Sequence, residues 1–240
     1  MSEKTGILYG IGVGPGDPEL LTIKAARVLG GVDLIFTAAS PGNDYSIAQQ
    51  IAESHIKPGT EVRRLDFPMV GDEKTLTAAW SKNANEIAEV LNSGRSAAFL
   101  TLGDPLTYST YGYVLPYLNE KLPQGSVVTI PGITSYQLAA ARRNLPLVTG
   151  LESLTIMSGV EEPEKLGELL DKTDNVAILK TYKSYDGIVA MLKKKGLLSK
   201  ATLFSKVGLP DEEIRTDLEK NPVSAPPYLS LMIVKTGGQK

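Results

Sequence analysis

The sequence predicts two α/β domains, and three observations carry that expectation. Apolar, β-branched runs of strand length alternate with helix-period segments along the chain. The rhythm breaks at Asn144-Leu145-Pro146-Leu147, where Pro146 disfavours helical continuation, and then restarts. The chain also has 240 residues, more than one ordinary domain of about 150. The boundary is placed accordingly, giving domains over 1–145 and 146–240.

Residues 7–13 read as a strand that runs into Gly14-Pro15-Gly16-Asp17. Residues 18–29 read as a helix with Asp17 as its cap and Pro18 in its first turn. A strand at 32–37, a helix at 46–54 and a short strand at 61–67 follow. Leu76, Ile87 and Leu91, together with Trp80, give the packing face of a helix over 76–91. A strand at 97–102, a helix at 109–118, a strand at 126–130 and a helix at 135–143 complete the first domain. Such alternation predicts a largely parallel sheet.

The second domain reads as strand 154–158, helix 164–171, strand 176–180, helix 185–195 and strand 202–207. Further strands are expected near Ile214 and at 228–235, in a mixed sheet. Pro222, Pro226 and Pro227 confine the preceding connection to irregular backbone.

Composition narrows the function. Lys and Arg number 25 against 27 Asp and Glu, a formal charge of −2 that supplies no surplus for a polyanion, so no nucleic-acid partner is expected. Without Cys and with one His, thiol nucleophiles, Cys-ligated zinc, iron–sulfur clusters and His-rich metal sites are excluded, and no protein-bound metal is expected. His55, beside Lys57-Pro58-Gly59, reads as a surface residue. The apolar stretch 96–118 is interrupted by Gly103-Asp104-Pro105, and the first strand is too short for a signal peptide. The expectation is a cytoplasmic protein with no membrane partner.

Three segments follow strands and open helices, which places them at the carboxyl end of a sheet, where open α/β folds bind ligands. The first, residues 10–18, carries Gly10, Gly12, Gly14 and Gly16, which let backbone approach a ligand closely. A dinucleotide loop is the rival reading. It loses weight because Pro15 stands where a third glycine is expected, and Asp33 starts the second strand instead of ending it. The second segment runs from Thr101 to Tyr111 and includes Asp104, the best-placed lone acid. The third is Pro131-Gly132-Ile133-Thr134-Ser135.

In this order and spacing the segments resemble the class III S-adenosylmethionine-dependent tetrapyrrole methyltransferases. The family's G-x-G-P-G-D-x-x-L-L-T loop is matched from Gly12 to Thr22, its G-D-P at Gly103 to Pro105 and its P-G-x-T-S at Pro131 to Ser135. The stretch around Gly103 to Tyr111 looks like the precorrin-2 and cobalt-factor II carbon-20 methyltransferases of cobalamin biosynthesis. Leu102 stands where the uroporphyrinogen-III enzymes carry a first glycine. The resemblance implies two α/β domains with an active site in their cleft, commonly in a homodimer.

It further implies S-adenosylmethionine as methyl donor, with S-adenosylhomocysteine as product. The implied cofactor contacts are Leu102, Gly103, Asp104, Thr107, Thr134, Ser135, Tyr182, Gly208 and Leu229. The loop of Gly12, Gly14, Pro15, Gly16 and Asp17 would border the tetrapyrrole. Because the acceptor bears many carboxylates, Arg63, Arg64, Lys180, Lys183 and Lys206 are candidate partners, each weighed against ordinary surface charge. A base that removes the displaced hydrogen would come from Asp104, Tyr108 or Tyr111, or from solvent or a pyrrole nitrogen. Other corrin-ring methyltransferases, diphthine synthases and a non-catalytic S-adenosylmethionine- or nucleotide-binding regulator are the competing readings.

Overall fold

The computed structural model describes residues 5–39 and 46–237. They form two compact units, Met1–Thr134 and Ser135–Lys240. The division falls before the helix expected over 135–143, so that helix belongs to the second unit and not to a first domain ending at residue 145.

In the first unit, β1 (Leu8–Gly12), β2 (Leu34–Ala39), β3 (Glu61–Asp66), β4 (Ala97–Thr101) and β5 (Val127–Ile130) lie in the order β3-β2-β4-β1-β5. Every pairing is parallel. Alternation along β2 shows how both faces are covered. Leu34 and Phe36 join a core with α3 (Glu73–Asn92) and α4 (Tyr111–Lys121), while Ile35 packs with α1 (Ile23–Leu29) and α2 (Ile47–Ala52). Asp72 caps α3 by accepting from the Thr75 N–H at 2.9 Å. Ile87 and Leu91 of that helix are fully buried, as the spacing predicts.

One expected helix is divided. Pro18–Leu20 form a single tight turn capped by Asp17, Leu21 is extended, and Thr22 caps α1 through a 3.2 Å bond from the Ala25 N–H. Two capping side chains five residues apart start two elements where periodicity alone reads one.

In the second unit, β6 (Leu154–Ser158), β7 (Asn175–Leu179), β8 (Ala201–Ser205), β9 (Glu213–Thr216) and β10 (Ser230–Lys235) take the order β6-β7-β10-β8-β9. β6 and β7 are parallel; β10 runs antiparallel to both β7 and β8. The mixed sheet is the expected one, including a strand at Ile214. The helices are α5 (Ser135–Arg142), α6 (Pro163–Leu170) and α7 (Tyr185–Lys194). Leu166, Leu170, Ile188 and Leu192 cover Val176, Ile178, Met232 and Val234.

Candidate functional site

The sheet order brings the ends of β4, β1 and β5 side by side, so the three motif loops meet at one sheet end of the first unit. Beyond β1, Val13 N–H donates to the Thr101 carbonyl at 2.9 Å. Gly14 and Gly103 then exchange two bonds, Gly14 N–H to Gly103 O at 3.3 Å and Gly103 N–H to Gly14 O at 2.8 Å. The loops are thus continuous with the sheet.

Their contact requires glycine. A Cβ on Gly12 would stand 2.5 Å from Gly103 O and 2.6 Å from Gly132 N, and one on Gly132 would stand 2.2 Å from Gly103 O. Gly103 also holds φ 72°, a left-handed conformation that glycine adopts without strain. Gly12, Gly14, Pro15 and Gly16 are buried and Asp17 is half-buried, its carboxylate accepting from the Glu19 N–H at 3.0 Å.

Asp104 holds two of these loops together. One carboxylate oxygen accepts from the Leu106 N–H at 2.9 Å and the Thr107 hydroxyl at 3.2 Å, and the other accepts from the Gly132 N–H at 3.1 Å. The arrangement makes it a brace across the β4 and β5 loops. Leu102 and Thr107 are half-buried here, and Thr134 is buried at the end of the third loop. Tyr108 has an exposed side chain and left-handed backbone, φ 51°.

Tyr111 lies apart from this surface. It is fully buried, its ring occupies the space above Gly10, where a Cβ would come within 2.3 Å of it, and its hydroxyl pairs with Thr129 Oγ1 at 3.0 Å. Burial pushes its phenol above the ordinary range, partly offset by that bond. Such a residue fills the core; it does not present a proton acceptor to a ligand.

Arg63 is also directed elsewhere. Its guanidinium meets Glu61 at 2.6 Å, and Arg95, which precedes β4, meets the other oxygen of Glu61 at 2.7 Å. These residues mark the amino ends of the strands, opposite the motif loops. Asp33 sits at the same end and accepts from the Ser96 N–H at 2.9 Å, away from the motif loops. Arg64 is exposed on the edge strand β3.

The second unit gathers its expected residues at one sheet end as well. Because β10 runs antiparallel to β7 and β8, its start lies beside their ends, with Leu231 opposite Leu179 and Ser230 opposite Ser205. Lys180, Lys206 and Leu229 all adopt left-handed backbone there, with φ 55°, 49° and 64°. Each is a conformation that non-glycine residues hold at a cost of about 1–3 kcal/mol, and such strain clusters at functional sites. Thr181 Oγ1 and Ser230 Oγ form a buried 2.8 Å bond beneath them.

Tyr182 is half-buried and packs edge-on against Tyr228, ring centroids 5.4 Å apart. Lys180 is held below the ordinary lysine range by partial burial and then by the neighbouring Lys183 cation. Lys183 is exposed; Lys206 pairs with Asp211 at 3.0 Å. Two features escape sequence reading altogether: the left-handed backbone, and Glu212, which receives the Gly208 N–H at 2.7 Å. Neither has a local signature. Among the described residues no group of three or more His, Cys, Asp or Glu is arranged to hold a metal ion, and no helix is long and apolar enough to cross a membrane.

A family model described as tetrapyrrole (corrin/porphyrin) methylases matches residues 7–221. The chain is 32% identical over 230 residues to the cobalt-precorrin-2 C(20)-methyltransferase of Salmonella typhimurium, covering 95% of this chain and 96% of that protein. It is 36% identical over 243 residues to a probable cobalt-precorrin-2 C(20)-methyltransferase of Methanocaldococcus jannaschii, covering 98% of each. Its fold is similar to that of the uroporphyrin-III C-methyltransferase of Thermus thermophilus complexed with S-adenosylhomocysteine. There the TM-score is 0.65 at 22% identity, over 95% of this chain and 97% of that one. With the motif loops joined at one sheet end and the family match running through both units, the chain belongs to the tetrapyrrole (corrin/porphyrin) methylase family.

Proposed function

We propose that this protein transfers a methyl group from S-adenosylmethionine to carbon 20 of precorrin-2 or its cobalt-bearing form, in cobalamin biosynthesis. The observation that carries the reading is near full-length similarity to proteins named for that reaction, at 32% and 36% identity. The residues present fit the donor. The first unit's sheet end offers backbone groups and hydroxyls, and at the second unit's sheet end left-handed residues at 180, 206 and 229 turn the backbone sharply.

S-adenosylmethionine supplies a methyl on a sulfonium whose positive charge disappears as the methyl leaves. A site that bound that cation strongly in the ground state would slow transfer, so neutral positioning groups suit it. The task of Gly103, Asp104, Thr107, Thr134 and Ser135, with Tyr182, Gly208 and Leu229, is then alignment. Holding two reactants in attack geometry supplies about 7–11 kcal/mol without a side-chain nucleophile.

The ring's carboxylates require cations. Lys180 and Lys183 are the pair we assign to them: they are adjacent in space, and the Lys183 cation, after burial, disfavours the charged form of Lys180 until an anion arrives. Of the three side chains considered for taking up the displaced hydrogen, Asp104 is committed to three donors and Tyr111 to the core. Tyr108, whose side chain is exposed, is the one we assign to that step, beside solvent and the pyrrole nitrogens. We further assign the protein to the cytoplasm and to a homodimer.

The test is an anoxic incubation with ¹³C-methyl-labelled donor and either precorrin-2 or cobalt-factor II. Gain of one labelled methyl by mass, placed at carbon 20 by NMR, supports the proposal. Methylation at a different carbon would assign another corrin-ring activity. Donor binding with no methylation of any tetrapyrrole would refute an enzymatic role, and methylation of elongation factor 2 would point to diphthine synthesis.

A further inference from the structure

After β8 the backbone passes through two left-handed residues, Lys206 at φ 49° and Gly208 at φ 82°. A lysine stays in that region only where its surroundings over-determine it. Here Lys206 N–H donates to the Leu229 carbonyl and Leu209 N–H to the Lys206 carbonyl, both at 2.9 Å, while Lys206 Nζ pairs with Asp211 at 3.0 Å.

The Glu212 N–H also donates to the Leu209 carbonyl at 3.1 Å, and a further tie comes from the Glu212 carboxylate. Glu212 accepts the Gly208 N–H at 2.7 Å, and both of its oxygens stand 3.1 Å from the Nε–H of Arg142. Arg142 is the last residue of α5, and Ser135, assigned above to the donor, is its first. The peptide unit is planar, so fixing the Gly208 N–H also fixes the Val207 carbonyl, which points the opposite way. Arg142 and Glu212 are 70 residues apart in sequence, and no local pattern links them.

We infer that Glu212 is a positioning residue: it locks the 206–209 turn in its ligand-ready conformation and joins it to α5, so that it sets donor affinity without touching the donor. The inference rests on the assignment of Gly208 and Ser135 to the donor site. A charge-assisted bond to a backbone N–H exceeds a neutral one in strength, so its loss should be readable as affinity. Stability should respond less, because the Arg142 side chain is 39% exposed.

The experiment measures S-adenosylhomocysteine affinity by calorimetry, and KM for S-adenosylmethionine with kcat by methyl transfer, in the full-length protein and three variants. Glu212→Ala should raise both Kd and KM by about tenfold or more, with kcat at saturating donor changed by less than about threefold. Glu212→Gln keeps an amide oxygen for the Gly208 N–H and should recover affinity to within about threefold of the parent. Arg142→Met should fall between them.

Parent-like Kd in Glu212→Ala would overturn the inference, as would a kcat loss equal to the affinity loss in Glu212→Ala and not rescued by Gln. If the alanine variant does not fold, Arg142→Met decides, since it leaves the Glu212 carboxylate in place: unchanged Kd there refutes the coupling to α5. Failure of the parent protein itself to bind S-adenosylhomocysteine would instead refute the donor assignment, so the two failures are distinct.

Discussion

Replacing Asp104 with Asn removes one acceptor from a carboxylate that serves three donors. The Leu106 N–H and the Thr107 hydroxyl share one oxygen, and the Gly132 N–H takes the other. An asparagine satisfies the first pair with its amide oxygen and then turns its NH2 toward the Gly132 N–H, donor against donor. The local turn survives while the bond between the β4 and β5 loops is lost. Leaving one such donor unsatisfied costs about 1–3 kcal/mol. At ~2–4 °C per kcal/mol for a chain of this size, the unfolding midpoint should fall by about 2–12 °C. Because the two loops carry Gly103, Thr107 and Thr134, the same change should weaken S-adenosylhomocysteine binding by about tenfold, read by calorimetry beside thermal unfolding. A parent-like midpoint and affinity would refute the brace. If both stayed parent-like while turnover fell by about 100-fold or more, the carboxylate would act in proton transfer instead.

Gly132→Ala places a Cβ 2.2 Å from the Gly103 carbonyl and should cost at least about 3 kcal/mol or prevent folding, whereas Gly112→Ala, with open space around it in α4, should stabilise by about 0.5–1 kcal/mol; urea unfolding compares them. Tyr111→Phe loses only the 3.0 Å bond to Thr129, so stability should fall by about 1 kcal/mol with turnover unchanged, and a 100-fold loss of turnover would return the phenol to the chemistry. Arg63→Ala should leave KM for the tetrapyrrole within about twofold of the parent, because that guanidinium pairs with Glu61 at the far end of the sheet; a larger rise would show it reaching substrate. Lys180, held low first by burial and then by Lys183, makes stability rise with pH between its folded value and the ordinary lysine value, where only the unfolded chain still holds the proton. Lys183→Gln should shift Lys180 upward in an NMR titration, and an unmoved value would leave burial as the whole cause.

Strand and helix positions were legible because burial follows the residue period. Leu34, Phe36 and Ile35 alternate between two cores, and Ile87 and Leu91 repeat at helical spacing. The motif loops were legible as segments that follow strands. What each side chain does within them was not, because that depends on partners remote in sequence. Asp104 reads as a lone acid until the Gly132 N–H, 28 residues away, is found beside it. Tyr111 reads as a candidate base until Gly10 is seen to leave room for its ring. The helix expected over 18–29 failed for a local reason, since Thr22 competes as a cap in mid-pattern.

The sheet order explains why these loops, and not others, became the candidate site. From β1 the chain crosses past β4 to reach β2, and from β4 it crosses past β1 in the opposite direction to reach β5. Connections that leave adjacent strands in opposite directions open a crevice at the strands' carboxyl ends. In this protein the floor of that crevice is backbone: Gly12, Gly103 and Gly132 touch, and side chains there would collide. A floor of peptide groups offers directed hydrogen bonds with no net charge, which suits a reaction whose donor must shed a positive charge. The near absence of His and the complete absence of Cys follow the same logic. Where transfer depends on placing two reactants in line, what the fold must supply is a rigid turn at each contact. Asp104 in the first unit and Glu212 in the second each hold such a turn through a backbone N–H.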